Sequence, residues 1–170
     1  MADQPDWTHK PLRELMRHIV RKHHGYLRAA MPQIHQHIQT VLSKYGDRGP
    51  DPSLSRIFAA MWDELDLHID KEETVLFPYL DRLEAAVANS QTPPHPGWSE
   101  NPLELMEDEH ASATEALARM RQLTAHYTIP DNACPTYAAL MAGLRELEAD
   151  LHLHIHLEND ILFPRARQLM

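Results

Sequence analysis

With 170 residues and a formal net charge of −9, the chain has room for one well-buried core and too little for two, and it lacks the basic face that nucleic acid demands. Its single cysteine, Cys134, excludes an internal disulfide and any cysteine-based zinc or iron–sulfur ligation within one chain. No stretch of about 18 apolar residues is available to cross a bilayer, and Met1 to Trp7 has no positively charged start followed by an apolar run, so a cytoplasmic protein is expected.

Gly is scarce and apolar residues recur every three or four positions, which predicts an all-α chain. One domain over 1–170 is expected, opening with a tail over 1–10. Pro11 to Lys22 reads as a short extra amphipathic segment that runs into a first long helix at about 24–45. Its apolar stripe is Leu27, Met31, Ile34, Ile38 and Val41, and Pro32 is expected to kink it by removing a backbone donor and clashing one turn back.

Gly46 to Pro52 marks a break before a second helix at about 53–89, with Leu54, Phe58, Met61, Leu65, Leu76 and Leu80 on one face. Ser90 to Pro102, with Pro93, Pro94, Pro96 and Gly97, separates it from a third helix at about 102–127. That helix carries Leu103, Met106, Ala113, Leu117 and Met120. Ile129 to Pro135 precedes a fourth at about 136–168, carrying Leu140, Leu144, Leu147, Leu151 and Leu162. The expected architecture is an up-down-up-down four-helix bundle.

Two stretches, 24–78 and 110–164, repeat each other. His24, His68, Glu72 and Pro78 recur as His110, His154, Glu158 and Pro164 at a constant offset of 86 (110−24, 154−68, 158−72, 164−78). His68-Ile69-x-x-Glu72-x-x-x-Leu76-Phe77-Pro78 returns almost unchanged as His154-Ile155-x-x-Glu158-x-x-x-Leu162-Phe163-Pro164. Each apolar stripe runs into these polar positions at 3 or 4 spacing, Leu65 before His68 and Leu151 before His154, so the polar groups point into the core. At about 1.5 Å rise per residue, the legs of the second hairpin are roughly 24 to 27 Å each and those of the first roughly 31 and 23 Å, a difference that a kinked helix and a short loop reconcile, so the bundle can bring all four imidazoles to one level.

A single core histidine is more often a hydrogen-bonded structural residue than a ligand, and His-x-x-x-Glu is common on solvated faces. Two such pairs, each with a His 44 residues upstream (68−24, 154−110), point to metal instead. Two carboxylates buried side by side cost several kcal/mol unless something positive compensates them. The expected site holds two ions, with His24, His68, His110 and His154 as terminal ligands and Glu72 and Glu158 as bridges. Four protein ligands per ion, with an oxo or hydroxo bridge as a fifth, leave room for a small diatomic ligand. Imidazole and carboxylate without thiolate suit non-haem iron, with manganese or zinc as substitutes.

Glu64 and Asp150, one turn before His68 and His154 and themselves 86 apart (150−64), are candidates to accept the imidazoles' second N–H. Glu109, beside His110, is a candidate to line a proton or ligand path. His23 is the rival of His24, which the offset favours. His18, His35, His37, His126, His152 and His156 are surplus, the last two facing away from His154. Tyr26 and Tyr45 are further residues that could approach a metal.

The stretches Ile19-Val20-x-x-His23-His24, His68-x-x-x-Glu72-Glu73-x-x-Leu76-Phe77-Pro78, Met106-Glu107-x-Glu109-His110, Ala133-Cys134-x-Thr136-Tyr137 and His154-Ile155-x-Leu157-Glu158-Asn159-x-x-Leu162-Phe163-Pro164-Arg165-Ala166 resemble the hemerythrin-like HHE cation-binding domains. They resemble more closely the di-iron repair of iron centres, or iron–sulfur cluster repair, family. The resemblance covers nearly the whole chain. It implies a di-iron bundle with His24, His68, His110, His154, Glu72 and Glu158 at the family's ligand positions.

It also implies a role under nitrosative or oxidative stress, with iron–sulfur client proteins repaired by iron donation or by nitric oxide handling. The alternative is a hemerythrin-like protein that senses, stores or scavenges nitric oxide or oxygen without repair. Nitric oxide reduction or oxygen and peroxide chemistry are the enzymatic possibilities. Full-length members carry a small cysteine-bearing domain ahead of the bundle, whereas this sequence begins almost at its first helix, so chemistry needing those cysteines is not expected. Oxygen-carrying hemerythrins have a His four residues after the third-helix His. Thr114 stands at that place, which argues against reversible oxygen transport.

Overall fold

Helix starts are set by prolines and by side chains that take up the first backbone N–H groups. In the computed structural model, which describes residues 6–95, 97 and 101–170, the N-terminus of α1 (Leu12–Ile19) is closed by Glu84, whose carboxylate accepts from Leu12 N–H at 2.7 Å and Arg13 N–H at 3.2 Å. Residues 1–5 of the expected tail, and Pro96, lie outside the described residues. A π-helical segment, Val20–His24, joins α1 to α2 (Gly25–Tyr45). The short segment expected before the first long helix is thus its first turns.

Asp51 caps α3 (Ser53–Lys71) by accepting from Ser53 N–H at 2.8 Å. A second π-helical segment, Glu72–Leu76, leads into α4 (Phe77–Ala88). Asn101 caps α5 (Pro102–Leu123) through Leu103 N–H at 3.2 Å. α6 (Pro135–His156) passes through a third π-helical segment, Leu157–Leu162, into α7 (Phe163–Arg167).

Four continuous helical rods result, and their contacts give the topology. α1 packs on α4 and on the last π-helical segment, while α2 packs on α3 and α6. The start of the first rod therefore meets the ends of the second and fourth, making it antiparallel to both. With α5 on α3, this is the up-down-up-down bundle expected.

Every stripe residue named above is buried. They form two apolar clusters, one along α2, α3, α5 and α6 from Leu27, Leu65 and Leu151 to Val41 and Leu54, the other around α1, α4 and the third π-helical segment with Trp7, Phe77, Met106 and Phe163. The polar layer lies between them.

α2 continues as one α-helix through Pro32, and two of the three departures from α geometry come at the repeated prolines. Pro78 and Pro164 each lack an N–H and crowd the carbonyl four residues back, at Thr74 and Asp160, and both carbonyls sit in π-helical turns. The third rod stops at Leu123, short of 127. Thr124 Oγ1 donates to Met120 O at 2.8 Å, and Ala125, His126 and Tyr127 take positive φ values of 46°, 59° and 59°.

Candidate metal centre

Three of the four rods carry a π-helical turn at the level of the polar layer, where such turns commonly re-aim side chains. His24 closes the first, Glu72 opens the second and Glu158 lies in the third. His68 and His154 come from the α-helical turns just before, and His110 from α5. The six expected ligands are all buried and come together as two groups that share both carboxylates. His24, Glu72, His154 and Glu158 form one; His68, Glu72, His110 and Glu158 form the other, with ligand atoms all within 4.8 Å of one another in each.

Glu72 Oε2 is 3.2 Å from His24 Nε2, and Glu72 Oε1 is 3.4 Å from His68 Nε2. Glu158 lies 3.1 Å from His154 Nε2 through Oε1 and 3.0 Å from His110 Nε2 through Oε2. These are ionic distances without hydrogen-bond alignment, since both oxygens of Glu72 and of Glu158, and Nε2 of His24 and His154, are buried with no hydrogen-bond partner. Orphaned carboxylates in a dry layer are costly unless positive charge, from a cation or from protonated imidazoles, neutralises them.

The four imidazoles make the same point. His68 Nε2 and His110 Nε2 face each other at 3.0 Å, although each ring already uses Nδ1 outward. Two lone pairs so placed repel unless a proton or a cation lies between them. Metal–nitrogen bonds of about 2.0–2.1 Å put neighbouring imidazole nitrogens at about this separation. The residues present fit a pair of cations.

Behind the Nε2 atoms, three of the four imidazoles are fixed through Nδ1. His24 Nδ1 lies 2.8 Å from Glu73 Oε1, His68 Nδ1 2.7 Å from Glu109 Oε2, and His110 Nδ1 2.8 Å from Asn159 Oδ1. Glu73 is also held by Arg28 at 2.7 Å, and Glu109 by Lys71. Such partners set the tautomer and the ring orientation of a ligand.

This corrects the expected supporting carboxylates. Glu64 is exposed and, among the described residues, accepts from Ser112 at 3.3 Å, while Glu109 crosses from α5 and takes the His68 Nδ1 position. Asp150 accepts from His23 Nδ1 at 3.0 Å, not from His154. Glu109, the third acidic candidate, is placed as the partner of His68 Nδ1. Glu73 and Asn159 directly follow Glu72 and Glu158 and are again 86 apart (159−73), the one signal in the sequence for these two partners.

Of the remaining candidates, His23 is buried beside the layer but belongs to neither ligand group. Tyr26 is outside both groups, and Tyr45 sits at the far end of its helix, its hydroxyl accepting from Cys134 N–H at 2.7 Å. His152 and His156 are exposed, as expected.

Electrostatics agree with a layer waiting for positive charge. Burial works against a charged His68, but Glu72, Glu109 and Glu158 outweigh it and push it up to about 10. His24 is raised for the same reason, burial being overcome by Glu72 and Glu158. Burial also raises Glu158, yet His154 and His110 more than offset this and hold it well below the usual carboxylate range.

Comparison with known proteins adds the following. The family model of the hemerythrin HHE cation binding domain matches residues 15–166. Similar proteins include the iron-sulfur cluster repair protein YtfE of Yersinia pseudotuberculosis serotype O:1b (strain IP 31758), 35% identical over 162 residues that span 95% of this chain and 68% of the relative. The protein of the same name from Yersinia pestis (strain Pestoides F) is similar to the same extent. No described helix is long and apolar enough to cross a membrane.

Proposed function

We propose, from the premise that this chain belongs to the hemerythrin HHE cation binding domain family, that it is a di-iron protein acting in the repair of iron–sulfur centres under nitrosative or oxidative stress. His24 and His154 would hold one iron and His68 and His110 the other, with Glu72 and Glu158 bridging. The observation that carries the reading is the pair of buried carboxylates, each within 3.0–3.4 Å of two imidazoles from different helices and unsatisfied by hydrogen bonds. The repair role is supported by similarity to iron-sulfur cluster repair proteins 35% identical over 95% of the chain.

Bound iron would supply Lewis acidity and one-electron redox capacity. The protein's own part is to keep water out with two apolar clusters, to fix ring orientation through Nδ1, and to leave each ion short of full coordination for a diatomic such as nitric oxide. Imidazole and carboxylate donors favour iron over softer metals, though manganese or zinc would fit in vitro. The partners are iron–sulfur client proteins in the cytoplasm, repaired by iron donation or by removal of nitric oxide.

Incubation of iron-loaded protein with apo or nitrosylated cluster enzymes tests this. Recovery of client activity well above that given by Glu72→Leu is expected, and no difference between the two rejects repair. In stopped-flow spectra, a stable reversible nitric oxide or oxygen adduct without client recovery would point instead to sensing, storage or scavenging. Turnover to nitrous oxide would make the chain an enzyme.

A further inference from the structure

His154 is the exception among the four imidazoles. Its Nδ1 is fully buried and has no hydrogen-bond partner, whereas His24, His68 and His110 each have one. Facing it is His23, 3% exposed, the ring 14° from parallel with centroids 5.6 Å apart. His23 Nε2 is likewise buried without a partner, while its Nδ1 lies 3.0 Å from Asp150.

Asp150 is partly exposed and as a carboxylate only accepts, so the His23 proton sits on Nδ1 and Nε2 carries the lone pair. Two buried ring nitrogens without partners, His23 Nε2 and His154 Nδ1, thus belong to neighbouring rings.

The repeat assigns the same relation independently. His23 and Glu109 are 86 apart (109−23), as are His68 and His154 (154−68). His23 stands to His154 as Glu109 stands to His68, and Glu109 accepts from His68 at 2.7 Å. His18, edge-on to His23 at 5.9 Å, packs against its other side.

We propose that His23, held by Asp150, is the positioning residue of His154: it accepts the Nδ1–H of that ligand and orients its Nε2 toward one of the two metal positions. This rests on the di-iron reading. It adds a group, outside the six ligands, that serves one ion and not the other.

The test uses the full chain loaded anaerobically with ⁵⁷Fe(II), read by Mössbauer spectroscopy and by the rate of iron loss to an excess of chelator. His23→Phe keeps a ring but removes the acceptor. It is expected to speed loss of the first iron about tenfold or more and to shift one quadrupole doublet while the other stays. His23→Glu, which copies Glu109, is expected to restore retention, and Asp150→Asn to move the same doublet less far.

Wild-type doublets and retention in His23→Phe overturn the proposal, as does an equal shift of both doublets. Should His23→Phe fail to fold by circular dichroism, Asp150→Asn decides alone, because its carboxylate lies at the surface end of the contact. A wild-type chain that takes up no iron overturns the di-iron reading, and this inference with it. A wild type that holds two irons beside an unchanged His23→Phe overturns only the inference.

Discussion

In the first repeat, His24 and His68 each face a carboxylate through Nδ1, from Glu73 and Glu109, whereas in the second His110 faces the amide of Asn159 and His154 the ring of His23. The groups that converge on the site are identical in the two repeats; the groups behind them are not. Because each ligand group takes one imidazole from each repeat, each prospective ion has one carboxylate-backed and one neutral-backed ligand. Glu73 has Arg28 as a partner and Glu109 has Lys71. The added carboxylates therefore arrive with their own cations, and Glu72 and Glu158 remain the negative charge left for metal. Duplication has kept what a cation would touch and let the supporting layer diverge.

The largest effect should come from groups the repeats share. Glu72→Gln and Glu158→Gln are expected to behave alike despite lying in different repeats, since each carboxylate belongs to both ligand groups. Metal analysis after iron loading and desalting should fall from two ions per chain to about none. Retention of both ions by either variant would break the bridging arrangement.

Next come the unlike partners. Glu109→Gln should speed iron loss roughly 10–100-fold, the usual cost of removing a ligand's hydrogen-bond partner. Asn159→Asp gives His110 the backing that His24 has, without changing side-chain shape, and should slow loss. Chelator competition on both variants checks the pair. Equal rates in the two would mean that the charge behind an imidazole is irrelevant here.

Much of this bundle was legible in the sequence because helix stripes and ligand spacing are both short-range patterns along one chain. Leu65, His68 and Glu72 fall on one face by helical period alone, and the offset of 86 selected His24 over His23. What was not legible depends on neighbouring helices. Glu64 has the spacing of a supporting group for His68, yet only the packing of α3 on α5 reveals that Glu109 fills that place. The π-helical turns are invisible to a search for 3.6-residue periodicity. Their cause at Pro78 and Pro164 was present in the sequence all the same, and those prolines matched the repeat before they explained any geometry.

A smaller effect follows from the charge on the first-repeat imidazoles. His68 is pushed up to about 10 from an ordinary 6.5, so in the metal-free fold its contribution to stability is full below 6.5 and is lost as pH rises toward 10. Glu158, held well below 4.5, works at the other end, contributing above 4.5 and losing that contribution as pH falls. The metal-free chain should therefore melt at a lower temperature at pH 9 than at pH 7. Iron-loaded protein should lack this fall, since its imidazoles have no such proton to lose. Glu109→Gln should shrink it by removing one of the carboxylates that raise His68. A metal-free chain whose melting temperature is flat between those pH values would remove the protonated-imidazole account.

The smallest effect belongs to the cations behind the carboxylates. Arg28 and Lys71 are partly exposed, with side-chain exposures of 42% and 41%, and such ion pairs contribute about 0–1 kcal/mol in water. The sign is nonetheless set. Removing Arg28 leaves Glu73 more negative, which strengthens its pull on the His24 Nδ1 proton and makes Nε2 a better donor to a cation. Arg28→Ala and Lys71→Ala should thus leave iron retention unchanged or raise it by no more than about threefold, with the gain fading at high ionic strength. Faster iron loss in either variant would mean that the cation holds its carboxylate in place. The first repeat would then depend on the whole chain from Arg28 through Glu73 to His24, and its backing would be a geometric device more than an electrostatic one.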